Sequence, residues 1–191
     1  MSFLNYRNYI PDLYINKITD LDFKQLYAEG YRLILTDLDN TLISYKETEP
    51  TPEIINFVRN LEAIGFEVFI ISNSLKDRVS HFSSILGVDY VKFAKKPLKG
   101  GFKKAFKKLG NKYKKEEILY FGDQLMTDIL GGKRMELKTH LVKAIDRKTE
   151  KAVTRFNRLL EKIVLKRIYK KDRKSYDEKL KEYVLDVTRR N

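Results

Sequence analysis

Leu33-Ile34-Leu35-Thr36-Asp37-Leu38-Asp39-Asn40-Thr41 is the stretch on which the fold turns. Its first four residues form a short unbroken apolar run, the pattern of a strand buried on both faces within a parallel sheet. Two acids follow at once, which places them at the carboxyl edge of that sheet, where open α/β folds bind their ligands. Alternation along an extended segment points Asp37 and Asp39 the same way. Two carboxylates held together repel each other, so a cation or a shared proton must relieve them.

Outward from this stretch, short apolar runs alternate with segments of helical period. Strands are expected over residues 31–36, 66–72, 89–93, 118–121 and 139–142, with helices over 20–29, 52–64, 77–86, 101–109, 128–136 and 149–169. This alternation predicts an α/β fold, a five-stranded parallel sheet with helices on both faces. Thr51 and Pro52 start one helix and Gly65 stops it, while Gly30 and Gly87 close two others. Helix 149–169 carries a stripe of Val153, Phe156, Leu160, Ile163 and Val164, expected to face the core. Beyond Tyr169 the composition turns to lysine, arginine and acid, and Ser175 to Glu178 reads as a capping box opening a last helix toward Thr188. The expected organisation is one domain over residues 1–168 and a basic helical tail over 169–191.

Three more strand ends carry groups of matching chemistry. The second ends in Ser72-Asn73, whose hydroxyl and amides can hold phosphate oxygens. After the third comes Lys96-Pro97, a turn whose lysine can reach across the strand ends as a point charge. The fourth ends in Gly122-Asp123-Gln124, with Asp128 opening the next helix; these acids add oxygen ligands for a hard cation. His81 and His140 are read as surface or structural residues.

The 191 residues are 42% hydrophobic and contain no cysteine, which excludes disulfides and thiolate sites and suits a reducing cytoplasm. The first residues lack the order of a secretory signal, and no apolar run reaches the roughly 20 residues of a membrane span. Net charge is +13 and unevenly placed: 8 Lys/Arg stand against 13 Asp/Glu up to residue 90, and 31 against 13 beyond it. In helix 101–109 Phe102, Ala105, Phe106 and Leu109 share one side and leave Lys103, Lys104, Lys107 and Lys108 on the other. So basic a half can recruit RNA, anionic lipid headgroups or phosphorylated substrates.

The ordered set Asp37-x-Asp39-x-Thr41, Ser72, Lys96 and Gly122-Asp123…Asp128 resembles the four motifs of the haloacid dehalogenase superfamily across residues 31–142. The resemblance implies a Rossmann-like fold and a phosphatase in which Asp37 is the nucleophile and Asp39 the acid and then the base. It further implies Mg²⁺ held by Asp37, Asp123 and the backbone carbonyl of Asp39, with Asp128 as a further ligand or as a group that orients the ligands. Thr41, Ser72, Asn73 and Lys96 would hold the phosphoryl group.

Members of that superfamily that act on small metabolites roof the site with a cap domain. Only ten residues, 42–51, separate Thr41 from the next helix, and 72–96 has room for one helix and one strand, so no cap is expected. The runs Asp37–Leu42, Ser72-Asn73, Arg78-Val79, Ala94–Pro97, Gly122–Gly132 and Asn157-Arg158 are similar to the bacterial YqeG branch of the class III phosphatases, itself similar to mitochondrial phosphatidylglycerophosphate phosphatase. This implies a phosphorylated lipid headgroup at an anionic membrane as substrate, reached by a cytoplasmic protein sitting peripherally at the inner face. Two other readings stay open: a phosphatase of phosphoprotein, nucleotide or nucleic-acid ends, and a basic RNA-binding or ribosome-assembly module.

Overall fold

A computed structural model describes residues 5–75, 77–150 and 152–188. Six parallel strands form one sheet: β1 (Leu13–Ile15), β2 (Leu33–Thr36), β3 (Glu67–Ile71), β4 (Asp89–Val91), β5 (Ile118–Gly122) and β6 (Lys138–Val142), in the order β1-β6-β5-β2-β3-β4. The five expected strands are all present. The sixth, β1, is a three-residue edge strand against β6, too short to show an alternation of its own. β2 lies between β3 and β5, and all four of its residues are buried.

Because neighbouring strand residues point to opposite faces, each central strand feeds two cores. Ile34, Val68, Ile70, Leu119 and Phe121 pack with α1 (Phe23–Ala28), α2 (Pro52–Ile64) and α3 (Arg78–Leu86). Leu33, Leu35, Phe69, Ile71, Ile118 and Tyr120 pack with Phe102 and Ala105 of α4 (Lys99–Lys108). Thr51 caps α2 by accepting from Ile54 N–H at 3.3 Å, and Gly65 closes it at φ 113°.

The expected helix over 128–136 is a π-helical turn, Leu125–Ile129, running into the short α5 (Leu130–Arg134). At Gly132 a Cβ would stand 2.6 Å from the Thr139 methyl and 2.7 Å from the Tyr120 ring, so the glycine lets this helix lie against β5 and β6. α6 (Ala152–Lys171) runs straight through the expected boundary at residue 168. The capping box expected at Ser175 is displaced: Asp172 caps α7 (Arg173–Lys179) by accepting from Ser175 N–H at 3.1 Å. The segment then breaks at Leu180, which turns into the core before α8 (Lys181–Thr188). Leu180 and Tyr183 join Tyr9, Leu125, Ile129, Leu141, Leu165 and Ile168 in a third core. Asp186 of α8 accepts from Tyr14 at 2.6 Å and Lys143 at 2.8 Å.

The stripe expected to be core on α6 is split: Leu160 and Val164 are half-buried, Val164 against the third core, and the other three residues turn outward. Its buried line is Thr154, Arg158, Glu161, Leu165 and Ile168, while Val153, Phe156 and Ile163 are exposed. Polar side chains have taken the inward positions because an ionic cluster lies beneath them. Among the described residues no helix is long and apolar enough to cross a membrane.

Candidate active site

β2 delivers Asp37 to the sheet edge, where its N–H donates to Phe121 O at 2.9 Å. The chain then folds back in a tight turn. Leu38 O accepts from Leu42 and Ile43 N–H at 3.0 and 3.2 Å, Asn40 adopts φ 66°, and Asn40 N–H donates to Ile43 O at 2.6 Å. The turn leaves Asp37 and Asp39 facing one cavity of about 490 Å³, which Ser72, Asn73, Lys96, Gln124, Thr127 and Asp128 also line. Asp123 is fully buried beside it.

Lys96 ties the strand ends together. Its Nζ donates to Asp37 Oδ1 at 2.7 Å, Asp128 Oδ1 at 2.7 Å and Ile71 O at 2.8 Å, using all three ammonium donors. Asn73 braces that lysine: its Oδ1 accepts from Lys96 N–H at 2.7 Å and its Nδ2 donates to Lys96 O at 3.0 Å. Its amide is therefore engaged in shaping the turn. Ser72 Oγ accepts from Ser74 N–H at 3.0 Å and retains its own proton to donate. Thr41 is not brought to this cavity; it borders a neighbouring one of about 210 Å³, with its buried hydroxyl unpartnered among the described residues.

Asp128 is fixed from several directions. Its Oδ1 accepts from Tyr120 O–H at 2.9 Å, and its Oδ2 accepts from Gln124 N–H at 3.1 Å and Thr127 O–H at 3.2 Å. Gly122 makes room for it, since a Cβ there would lie 2.3 Å from Asp128 Cβ. Oxygen atoms of Asp37, Asp123 and Asp128 fall within 4.8 Å of one another.

Arg158 of α6 pairs with Asp123 through Nη2 and donates from Nη1 to the Asp123 carbonyl at 2.8 Å. The same guanidinium reaches Glu150 at 2.8 Å and Glu161 at 3.3 Å, and it donates to Tyr183 Oη at 3.1 Å. Tyr183 O–H in turn donates to Glu161 at 2.5 Å. At the other wall, Arg78 holds Asp39: Nε donates to Oδ1 at 3.1 Å, Nη2 to Ser44 O at 2.6 Å and Nη1 to Glu47 O.

With that geometry in place, residues 7–136 match the model of the haloacid dehalogenase-like hydrolases. The chain belongs to this family. It is 33% identical over 170 residues, 89% of its own length and 97% of the relative's, to "Probable phosphatase YqeG" of Bacillus subtilis (strain 168). It is 24% identical over 188 residues to phosphatidylglycerophosphate phosphatase 1, chloroplastic/mitochondrial, of Arabidopsis thaliana, and covers 53% of that protein's length. A solved haloacid dehalogenase-like hydrolase from Brucella suis 1330 shares the fold, with a TM-score of 0.50 at 13% identity over 65% of this chain and 88% of that one. The expected family, fold and enzyme class, a phosphatase of the haloacid dehalogenase type, therefore stand.

Electrostatics in this hydrolase favour a cation. Six carboxyl groups, Asp37, Asp39, Asp123, Asp128, Glu150 and Glu161, meet three cationic side chains, Lys96, Arg78 and Arg158. Burial raises the Asp37 pKa well above the ordinary value; Lys96 opposes this, and the neighbouring acids reinforce it. Burial likewise lifts Asp123 to about 7 against the pull of Arg158. For Lys96, burial disfavours the ammonium, but Asp128 and Asp37 outweigh it and keep the lysine charged. The all-oxygen set, the acidic excess and the unpartnered buried Asp123 Oδ1 suit a hard divalent ion.

A pH dependence follows. Folded-state pKa values raised above the unfolded 3.8 mean that Asp37 and Asp123 contribute stability below pH 3.8 and lose it as pH rises, through about 7 for Asp123. His140, stacked on Phe121 and depressed by burial from 6.5 to about 4, works oppositely and costs stability as pH falls through that range. The thermal midpoint in EDTA should fall between pH 6 and about 8, and Mg²⁺ should raise it more at the upper pH. Differential scanning calorimetry with and without the ion checks both statements.

Several residues of this site lay outside the expected set: Arg78, Tyr120, Glu150, Arg158, Glu161 and Tyr183. Arg78-Val79 and Asn157-Arg158 carried part of the resemblance without a role attached to either arginine. A second signal was available in α6, where Arg158 and Glu161 occupy the helical phase of Thr154 and Leu165.

Proposed function

We propose that this hydrolase is a Mg²⁺-dependent phosphomonoesterase that works through an aspartyl-phosphate on Asp37 and dephosphorylates phosphatidylglycerophosphate to phosphatidylglycerol. The observation that carries the chemistry is the Lys96 ammonium 2.7 Å from Asp37 Oδ1, at a cavity that also holds Asp39 and Ser72. An anionic phosphoryl group approaching a carboxylate needs positive charge around it. Lys96 supplies part of that charge, and Asp37, Asp123, Asp128 and the Asp39 carbonyl would hold Mg²⁺, which when bound neutralises charge on the phosphoryl oxygens.

In the first step Asp37 attacks phosphorus, the bond to the leaving alkoxide breaks, and Asp39 donates its proton to that oxygen. In the second, Asp39 takes a proton from water as the water oxygen attacks phosphorus; inorganic phosphate leaves and the Asp37 carboxylate is restored. Arg78 keeps Asp39 aimed at the cavity throughout. Ser72 donates to a phosphoryl oxygen, and Asn73 acts by holding the Lys96 turn.

The lipid reading is supported by the similarity to the Arabidopsis phosphatidylglycerophosphate phosphatase and by the short connections after Asp37 and Ser72, which carry no cap. Phosphate release from phosphatidylglycerophosphate in mixed micelles is expected to exceed that from p-nitrophenyl phosphate in kcat/KM. Equal or lower turnover on the lipid would refute the substrate. For the chemistry, Lys96→Met should lower kcat about 10²–10³-fold, the usual consequence of removing a donor aimed at developing charge. Its thermal midpoint should fall more without Mg²⁺ than with it, because Asp37 and Asp128 then face each other unrelieved.

A further inference from the structure

The first three turns of α6 reverse the usual polarity of a surface helix, and only beyond them do Leu165 and Ile168 face the core. Its inward line carries Arg158 and Glu161, while Val153, Phe156, Leu159 and Ile163 stand 73%, 58%, 57% and 66% exposed. Phe156 and Ile163 lie on the side opposite Arg158, and Leu159, three residues after the one and four before the other, joins them in one continuous ridge. Isolated exposed apolar residues need no explanation, but an aligned row of them on one helix does.

The charges around the ridge have one sign. Arg155, Lys162, Lys166, Arg167, Lys170 and Lys171 are all exposed, and the helix's single acid, Glu161, is buried against Arg158. A second copy of the chain would bring six cations against six others on proteins of net charge +13, so the charge opposes self-association. RNA would meet the cations but leave the aliphatic ridge uncovered. An anionic bilayer satisfies both, taking the apolar ridge into the headgroup boundary while lysines and arginines meet lipid phosphates.

The ridge also begins at the site. Thr154 and Asn157, on the first turns of α6, line the catalytic cavity, as do the exposed Val153 and, across the opening, Leu75. From Val153 to Ile163 the helix rises about 15 Å away from that mouth. We infer that the outer face of α6 is the membrane-docking surface of this enzyme, seating on anionic lipid so that the cavity mouth lies at the headgroup layer. The inference rests on the lipid-substrate reading above and adds the surface by which that substrate is reached. The basic face of α4 is not its centre, because Lys103, Lys104, Lys107 and Lys108 surround no comparable apolar ridge.

The test is flotation of the full chain with vesicles of phosphatidylcholine and of phosphatidylcholine mixed with phosphatidylglycerol, which lacks the phosphomonoester. The wild type should float with the mixed vesicles only. Phe156→Ser combined with Ile163→Ser should weaken binding about tenfold or more, and Lys162→Glu combined with Lys166→Glu at least as much, given about fivefold per basic residue near the surface. Both variants should keep wild-type hydrolysis of p-nitrophenyl phosphate, which also verifies folding. Unchanged flotation of both variants overturns the docking surface while leaving the lipid substrate standing. Normal α6-dependent flotation without turnover of phosphatidylglycerophosphate refutes the substrate and leaves the docking surface in place. No flotation of the wild type, a dimer dispersed by the serine variant, or binding of RNA lost in the same variant also overturns the inference.

Discussion

Asp37→Asn is expected to abolish turnover, lowering kcat by at least about 10⁴-fold, as removal of a covalent nucleophile does. The same change should leave the fold intact and, without divalent ions, raise the thermal midpoint. Burial and the neighbouring Asp128, Asp123 and Asp39 disfavour the Asp37 carboxylate, and a neutral amide of nearly the same shape removes that cost. The amide oxygen can still accept from Lys96. Activity and stability should thus move in opposite directions, which separates a lost nucleophile from a damaged structure. Acid-quenched enzyme incubated with labelled substrate should carry an acyl phosphate in the wild type and none in the variant. A labelled Asp37→Asn protein would remove Asp37 from the mechanism.

The largest structural effect should come from Arg158→Met. Its guanidinium engages Asp123, Glu150, Glu161 and the Tyr183 hydroxyl, all buried. Removing one partner of such a network leaves buried charges uncompensated and costs about 3–5 kcal/mol, which for a chain of this length lowers the thermal midpoint by about 6–20 °C. Arg158→Lys should recover little, because a single ammonium cannot reproduce a fork that meets three carboxylates at once. Glu161→Gln is the informative companion. It keeps an acceptor for Leu125 N–H at 2.7 Å, turns the oxygen facing Tyr183 into an amide donor, and leaves Arg158 paired with Asp123 and Glu150, so it should cost clearly less. A loss in Glu161→Gln as large as in Arg158→Met would overturn the reading that the guanidinium acts through several buried carboxylates together.

The catalytic half of this molecule was legible because its signals are local. An apolar run ending in Asp37, a strand ending in Gly122 and glycines at helix ends each declare themselves within a few residues, and their order along the chain supplies the rest. The braces were harder to see, since they join distant positions. Asn73 and Lys96 pair across 23 residues, Asp39 and Arg78 across 39, and Asp123 and Arg158 across 35. No periodicity reports such pairings. Helix α6 shows how the usual rule can mislead: the hydrophobic stripe pointed to a core face, but over the first turns Arg158 and Glu161 are held inward by a buried ionic cluster, and Val153, Phe156 and Ile163 face out. Edge strand β1 escaped notice for a different reason, its three residues being fixed by pairing with β6.

Tyr183 gives the site a temporal dimension. Every strand-end motif lies before residue 129, yet the hydroxyl that completes the Arg158 network belongs to α8. In synthesis from the N-terminus, all six strands and Asp37, Lys96 and Asp123 emerge before the residue that completes the Arg158 network. Order along the chain thus puts the last partner of the Arg158 guanidinium 55 residues behind Asp128, the last of the strand-end acids.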